Sequence, residues 1–135
     1  MANRITAIGA YRPRIELGNT VQKVELAHYL ADRTGLNEGS IEQVIKELRD
    51  AVIFFNRAGR AVKIEGLGTY TPNINLEGTF DVQYRADNDL KNGLNTHGVF
   101  TGTIRCREHI GKSTDDLVAL WNKDHPSDPV GQAPS

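Results

Sequence analysis

Between Ile41 and Phe55, six large apolar residues (Ile41, Val44, Ile45, Leu48, Val52 and Phe55) recur at steps of one, three and four. No other feature restricts the fold of this chain as strongly. Such spacing lines one face of an amphipathic helix, and Phe54 widens the stripe. Asn37 and Ser40 are both suitable N-caps, and Ser40 with Gln43 has the spacing of a capping box. Gly59 is placed to end the helix. The stripe exceeds what one short neighbouring helix covers, so a second surface must bury it. That surface is either a partner copy, the reading preferred here, or strands of the same chain.

An earlier helix is expected from Val21, capped by Thr20, with Val24, Ala27, Leu30 and Ala31 at helical spacing and Leu26 beside them. Gly35 closes it in the left-handed conformation. The link to the next helix is short, so the two should pack as neighbours. Ala61 to Glu65 alternates apolar and charged like a half-buried strand. Gly66-Leu67-Gly68 interrupts it, and extended chain resumes over Thr69 to Thr71 and ends at Pro72. Further strands are expected over Phe80–Arg85 and Val99–Arg107. Between them the pattern predicts a short helical turn at Asp89-Leu90-Lys91 and a turn at Asn92-Gly93. A last helix is expected from about Ser113 to Asn122, with Leu117, Val118, Leu120 and Trp121 on its apolar side and Asp115 and Asp116 favouring its N-terminus. Residues 1–19 read as an extended arm or strand, because Pro13 disfavours helix around it. Residues 20–122 read as the folded domain. Residues 123–135, with Pro126 and Pro129, read as a mobile tail.

The chain has 135 residues, 39% of them apolar and 24% charged, which suits one soluble domain with tails. It offers no apolar run long enough for a membrane helix, and Met1 to Ile8 is too short and mixed for a signal-peptide core. The single cysteine, Cys106, permits no internal disulfide. A reducing cytoplasmic setting is expected. Net charge is −1, whereas nucleic-acid binders tend to be basic. What matters is therefore how charge is distributed.

No catalytic constellation emerges. Gly66-Leu67-Gly68 begins like a dinucleotide fingerprint, but Thr71 replaces the third glycine and Pro72 follows instead of a helix. Gly111-Lys112-Ser113 resembles the end of a phosphate-binding loop, but Cys106 stands where the leading glycine belongs. His28, His97, His109 and His125 are scattered, with no pair at metal-ligand spacing. Cys106 lies between Arg105 and Arg107, and strand parity turns it away from them, into the interior. The expectation is a protein with no enzymatic activity, no metal and no cofactor.

Several segments together resemble the HU/integration-host-factor family. Gln22-Lys23-Val24-Glu25-Leu26 is similar to the family's opening helix. Gly35-Leu36 is similar to its first inter-helix turn. Gly66-Leu67-Gly68-Thr69-Tyr70, at ungapped spacing from Gly35 and Gly59, resembles its most recognisable turn. Beyond Tyr70 the likeness thins. The family's arm tip, Arg-Asn-Pro, occurs nowhere, and Asn73-Ile74-Asn75-Leu76-Glu77-Gly78 stands in the arm's place. Gly111-Lys112 looks like the entry to the family's last helix.

The resemblance implies an α+β fold: two N-terminal helices, a small antiparallel sheet and a C-terminal helix, in an intertwined homodimer. The helix stripe Ile41, Val44, Ile45, Leu48, Val52 and Phe55 would form the dimer core. It implies a bacterial, nucleoid-associated architectural protein that binds double-stranded DNA through phosphates and groove shape, with little sequence preference. No membrane and no small-molecule substrate are implied. The phosphate-contacting set would be Lys23, Arg85, Arg105, Arg107 and Lys112, with Lys63, Arg12 and Arg14 as secondary members. Arg105 and Arg107 are expected two apart on one strand face, and Arg12 and Arg14 likewise on the arm. Arg57 and Arg60 flank Gly59 and complement a helix dipole. Glu38 stands where a more basic relative would hold lysine. The competing expectation is a protein-interaction module on the same fold that no longer binds DNA.

Overall fold

The computed structural model describes residues 1–131. It is a mixed α+β structure with small antiparallel sheets, divided into two compact units. One comprises residues 20–100. The other combines residues 1–19 with the chain from Thr101 onward.

In the unit of residues 20–100, helix α2 (Lys23–Thr34) is followed by α3 (Glu38–Arg57). Gly35 adopts φ 74°, ψ 6°, the left-handed geometry that costs glycine nothing, and its N–H bonds the Ala31 carbonyl at 2.8 Å. Asn37 caps α3, its side chain accepting from the N–H groups of Gly39 and Ser40 at 2.8 and 3.3 Å. The Ser40–Gln43 capping box does not form, because Ser40 already lies inside the helix. Thr20 is not the cap of α2, which starts at Lys23 with no side-chain cap. Ala27 and Ile41, one from each helix, are the buried apolar residues of this unit.

Strands β2 (Val62–Ile64), β3 (Gly68–Ile74) and β4 (Phe80–Ala86) form one antiparallel sheet in that order. Strict alternation sorts their side chains. One face carries Val62, Tyr70 and Tyr84, then Pro72 with Val82 and Ile74 with Phe80. The other carries Lys63, Thr69 and Arg85, then Thr71 with Gln83 and Asn73 with Asp81. Helix α3 packs against β2 and β3, and Asn56 ties its C-terminal end down by donating to the carbonyls of Arg60 and Tyr70 at 3.0 and 3.4 Å. Gly68 is required by proximity: a Cβ there would lie 2.6 Å from the Arg85 carbonyl oxygen. The hairpin tip is built around Asn75, whose side chain accepts from the N–H groups of Glu77 and Thr79 at 3.0 and 2.9 Å.

Helix α4 (Asn88–Asn95) follows β4 directly, capped by Asp87. A helical turn with a stop at Asn92-Gly93 was expected, but both residues lie inside α4. This unit thus holds two helices, three strands and a third helix, while the helix expected from about Ser113 to Asn122 belongs to the other unit.

The other unit overturns two expectations. The extended arm over residues 1–19 is instead helix α1 (Arg4–Tyr11) followed by β1 (Arg14–Glu16). Asn3 caps α1, accepting from the Thr6 N–H at 2.8 Å, and Pro13 stands just past the helix end, where it stops the helix without breaking it. The strand expected over Val99–Arg107 contracts to β5 (Thr103–Arg105), which pairs with β1 rather than with β4. Cys106 ends it by turning left-handed at φ 57°, and Arg107–His109 forms a 3₁₀ turn. Helix α5 (Thr114–Asp124) starts with a complete capping box between Ser113 and Asp116. It packs on α1, with Ala7 and Leu117 as the buried pair.

The tail assignment also changes. Asn122 accepts from the Val130 N–H at 2.7 Å, the Trp121 indole N–H donates to the Asp128 carbonyl at 2.8 Å, and Ala2 bridges Val130 in parallel. Residues 123–131 are thus held to this unit, and the rest of the expected tail, 132–135, lies outside the described residues.

Candidate nucleic-acid interface

Three strands in fixed register bring Lys63, Thr69 and Arg85 into one row across the sheet of residues 20–100. Directly opposed residues share a face, with Cβ atoms about 5 Å apart. Lys63 and Arg85 are exposed, and Thr69 between them is half-buried. Neither cation joins an ion pair among the described residues. The row thus presents two free positive charges and a hydroxyl on a polar face. Asp81 lies on the same face, two rows toward the hairpin tip.

Lys23 is the exposed first residue of α2. A lysine there is disfavoured by the helix dipole and keeps its charge available to an external anion. The remaining expected contacts fall elsewhere. Arg12, Arg14, Arg105, Arg107 and Lys112 all belong to the other unit, and Arg105 lies in the two-stranded sheet rather than in the sheet that carries Arg85. Arg105 and Arg107 do not share a strand face either, because Cys106 takes the chain out of β5 between them. Lys112 precedes the cap of α5 instead of standing in its first turn. Arg12 ends α1, and Arg14 is half-buried, donating to the Gly9 carbonyl at 2.7 Å. Cys106 is half-buried, with its thiol 3.8 Å from the Ala10 carbonyl.

The helix stripe is placed as expected on α3 but is largely uncovered in the single chain. Ile41 is buried, Ile45 and Val52 are half-buried, and Val44, Leu48 and Phe55 are exposed. The apolar sheet face and α3 flank an open groove of ≈ 420 Å³ lined by Val52, Ile53, Pro72, Phe80 and Val82. A neighbouring groove runs along Ile45, Leu48, Ile64 and Tyr70. Sequence reasoning missed the aromatic half of this surface, although the alternation of Tyr70, Phe80 and Tyr84 across two strands carries the signal.

Charge is divided unequally. Residues 20–100 hold nine Lys and Arg against eleven Asp and Glu, and the rest of the chain holds seven against six. Among the described residues no group of three or more His, Cys, Asp or Glu side chains is placed to hold a metal ion. No described helix is long and apolar enough to cross a membrane.

Comparison with known proteins gives little. No family model matches the sequence, and no curated protein matches it. Among solved structures, HU from Anabaena, crystallised with DNA, aligns over 56% of this chain and 98% of its own, at 14% identity and a TM-score of 0.47. A likeness of that size assigns neither a fold nor a residue's role to this chain.

Proposed function

We propose that this chain is an HU-like architectural protein that binds double-stranded DNA with little sequence preference, as a homodimer. The observation that supports it best is the in-register row of Lys63, Thr69 and Arg85 on the polar face of a sheet whose other face is apolar. Backbone phosphates need cations on a firm, flat support and no base-reading groups. Lys23 adds a third contact. The exposed stripe of Val44, Leu48 and Phe55 is the surface that a second copy buries, with Ile41, Ile45 and Val52 beneath it. The activity is binding and bending, with no chemical step, cofactor or small-molecule substrate. Its place is the bacterial cytoplasm, on the nucleoid.

The test is fluorescence anisotropy of a labelled duplex of about 30 base pairs, at low and near-physiological salt. Saturable binding that weakens steeply with salt is expected, because neutralising phosphates releases counterions. The Lys63→Gln, Arg85→Gln variant should weaken binding uniformly across sequences and flatten the salt slope by about 2. No binding by the native chain at low salt overturns the proposal.

A second reading has its own support. Residues 20–100 are net acidic, and the hairpin tip presents Leu76 at 104% exposure beside Glu77. An exposed apolar residue beside a carboxylate suits a protein partner better than a phosphate backbone. Failure to bind DNA, together with retained dimerisation, would favour this interaction module.

A further inference from the structure

In the unit formed by the two ends of the chain, Arg14 and Arg105 stand directly opposite each other on β1 and β5. Cross-strand partners share a face, and like charges so placed repel. Neighbours on the sequence add to this. Arg12 lies two residues before Arg14 and Arg107 two residues after Arg105, so in an antiparallel pair both extend the same end of the ribbon. The backbone holds this arrangement. Pro13 fixes the approach to β1, and the left-handed Cys106 turns Arg107 out of the ladder and into the 3₁₀ turn.

No carboxylate compensates these charges. Among the described residues none of the four arginines joins an ion pair, whereas Arg4 pairs with Asp115 and Arg49 with Asp50. Arg33 and Arg60 lie over aromatic rings instead. The acidic groups of this unit are engaged elsewhere. Asp116 completes the helix cap, Asp124 accepts from the Tyr11 hydroxyl, Asp128 faces the chain's amino terminus, and Glu108 faces His109. Glu16 shares the face of the pair but sits two residue pairs away, at the other end of the ribbon, opposite Thr103.

We infer that this ribbon end is a phosphate-binding site. Guanidinium groups keep their charge and present paired N–H donors that match phosphate oxygens. Arg14 spends one guanidinium N–H on the Gly9 carbonyl at 2.7 Å, and its remaining donors, with those of Arg105, let a phosphate placed over the pair replace mutual repulsion with charge-assisted contacts. The phosphate is supplied either by a nucleic-acid backbone or as a free phosphate group. With a nucleic-acid source the site deepens the DNA-binding reading, as a second contact surface outside the sheet of residues 20–100. With a free source it stands apart from that reading.

The experiment follows the arginine side-chain N–H signals of the full chain by NMR during two parallel titrations, one with inorganic phosphate and one with a 30-base-pair duplex. Saturable shifts of Arg14 and Arg105 in either titration, lost in the Arg105→Gln, Arg107→Gln variant, are expected. Response to the duplex also requires that this variant flatten the salt slope of duplex binding by about 2. Response to inorganic phosphate without duplex binding supports the site and defeats the DNA-binding function. No shift of these arginines in either titration overturns the inference. If duplex binding then still depends on Lys63 and Arg85, the proposed function survives without this site.

Discussion

Single residues link the two helices of the 20–100 unit at their exposed edge. His28 on α2 reaches Glu38 on α3 at 2.6 Å and Asp32 on its own helix at 3.4 Å. The hydrogen bond to Glu38, then the charges of Asp32 and Glu38, raise the histidine pKa above its ordinary value of about 6.5. A raised folded-state pKa means the stabilisation is complete below the unfolded value and is lost as pH rises through the folded one. Urea unfolding should therefore show a stability decrement as pH rises from the ordinary histidine pKa through the raised one, and His28→Gln should abolish it. An identical pH profile in that variant would refute the linkage. Burial sets a second dependence. Ile41 is 7% exposed, so Ile41→Ala should cost about 2–5 kcal/mol in denaturant unfolding. Ile41 was legible in the sequence from its place in the helical stripe. The left-handed Cys106 was not, because strand parity assumes a strand that continues through it. That assumption put Arg105 and Arg107 on one face and turned the thiol inward.

At the level of elements, legibility followed periodicity. Helix α3 and strands β2 and β4 were readable because six apolar positions at helical steps, or alternation over several residues, admit few other structures, whereas the strand expected to end at Pro72 runs on as β3 to Ile74, paired with β4 throughout. Helix α1 was not read. Pro13 argues for extended chain, and it masks the signal of Asn3, a suitable cap followed by Ile5, Ala7 and Ile8. The pairing of β1 with β5 joins segments almost 90 residues apart, and no local pattern encodes such a partnership. The assignment of Arg105 to the same sheet as Arg85 failed for that reason. The sheet bearing Lys63 and Arg85 depends on close approach at Gly68, where an added Cβ meets the Arg85 carbonyl oxygen at 2.6 Å. Gly68→Ala should push β3 from β4 and cost about 1–3 kcal/mol, with amide exchange accelerated across Thr69–Thr71 first. Unchanged exchange there would show that the strands tolerate the extra methyl.

Across the whole molecule, the decisive quantity is how little of the apolar surface is covered. In the 20–100 unit only Ala27 and Ile41 are buried hydrophobics, while Val44 stays 65% exposed and Phe80 77%. Burial of apolar area is the main force that offsets conformational entropy, and a unit of this size with so small a core is marginal alone. A helix stripe and a sheet face that meet in open apolar grooves are a surface of the kind that an obligate partner completes. A second copy carries the same stripe and the same face, so a two-fold arrangement lets each protomer cover the other. In the proposed homodimer, folding and association are one equilibrium. Its midpoint must rise with protein concentration, because mass action favours the associated state. Thermal unfolding at concentrations spread over about two orders of magnitude should show that rise, and sedimentation should give twice the chain mass. Val44→Glu with Leu48→Glu should abolish both, because charges are too costly to leave unpaired in a closed interface. A concentration-independent midpoint with a monomer mass would place the cover elsewhere, on a different partner, and would favour the protein-interaction reading.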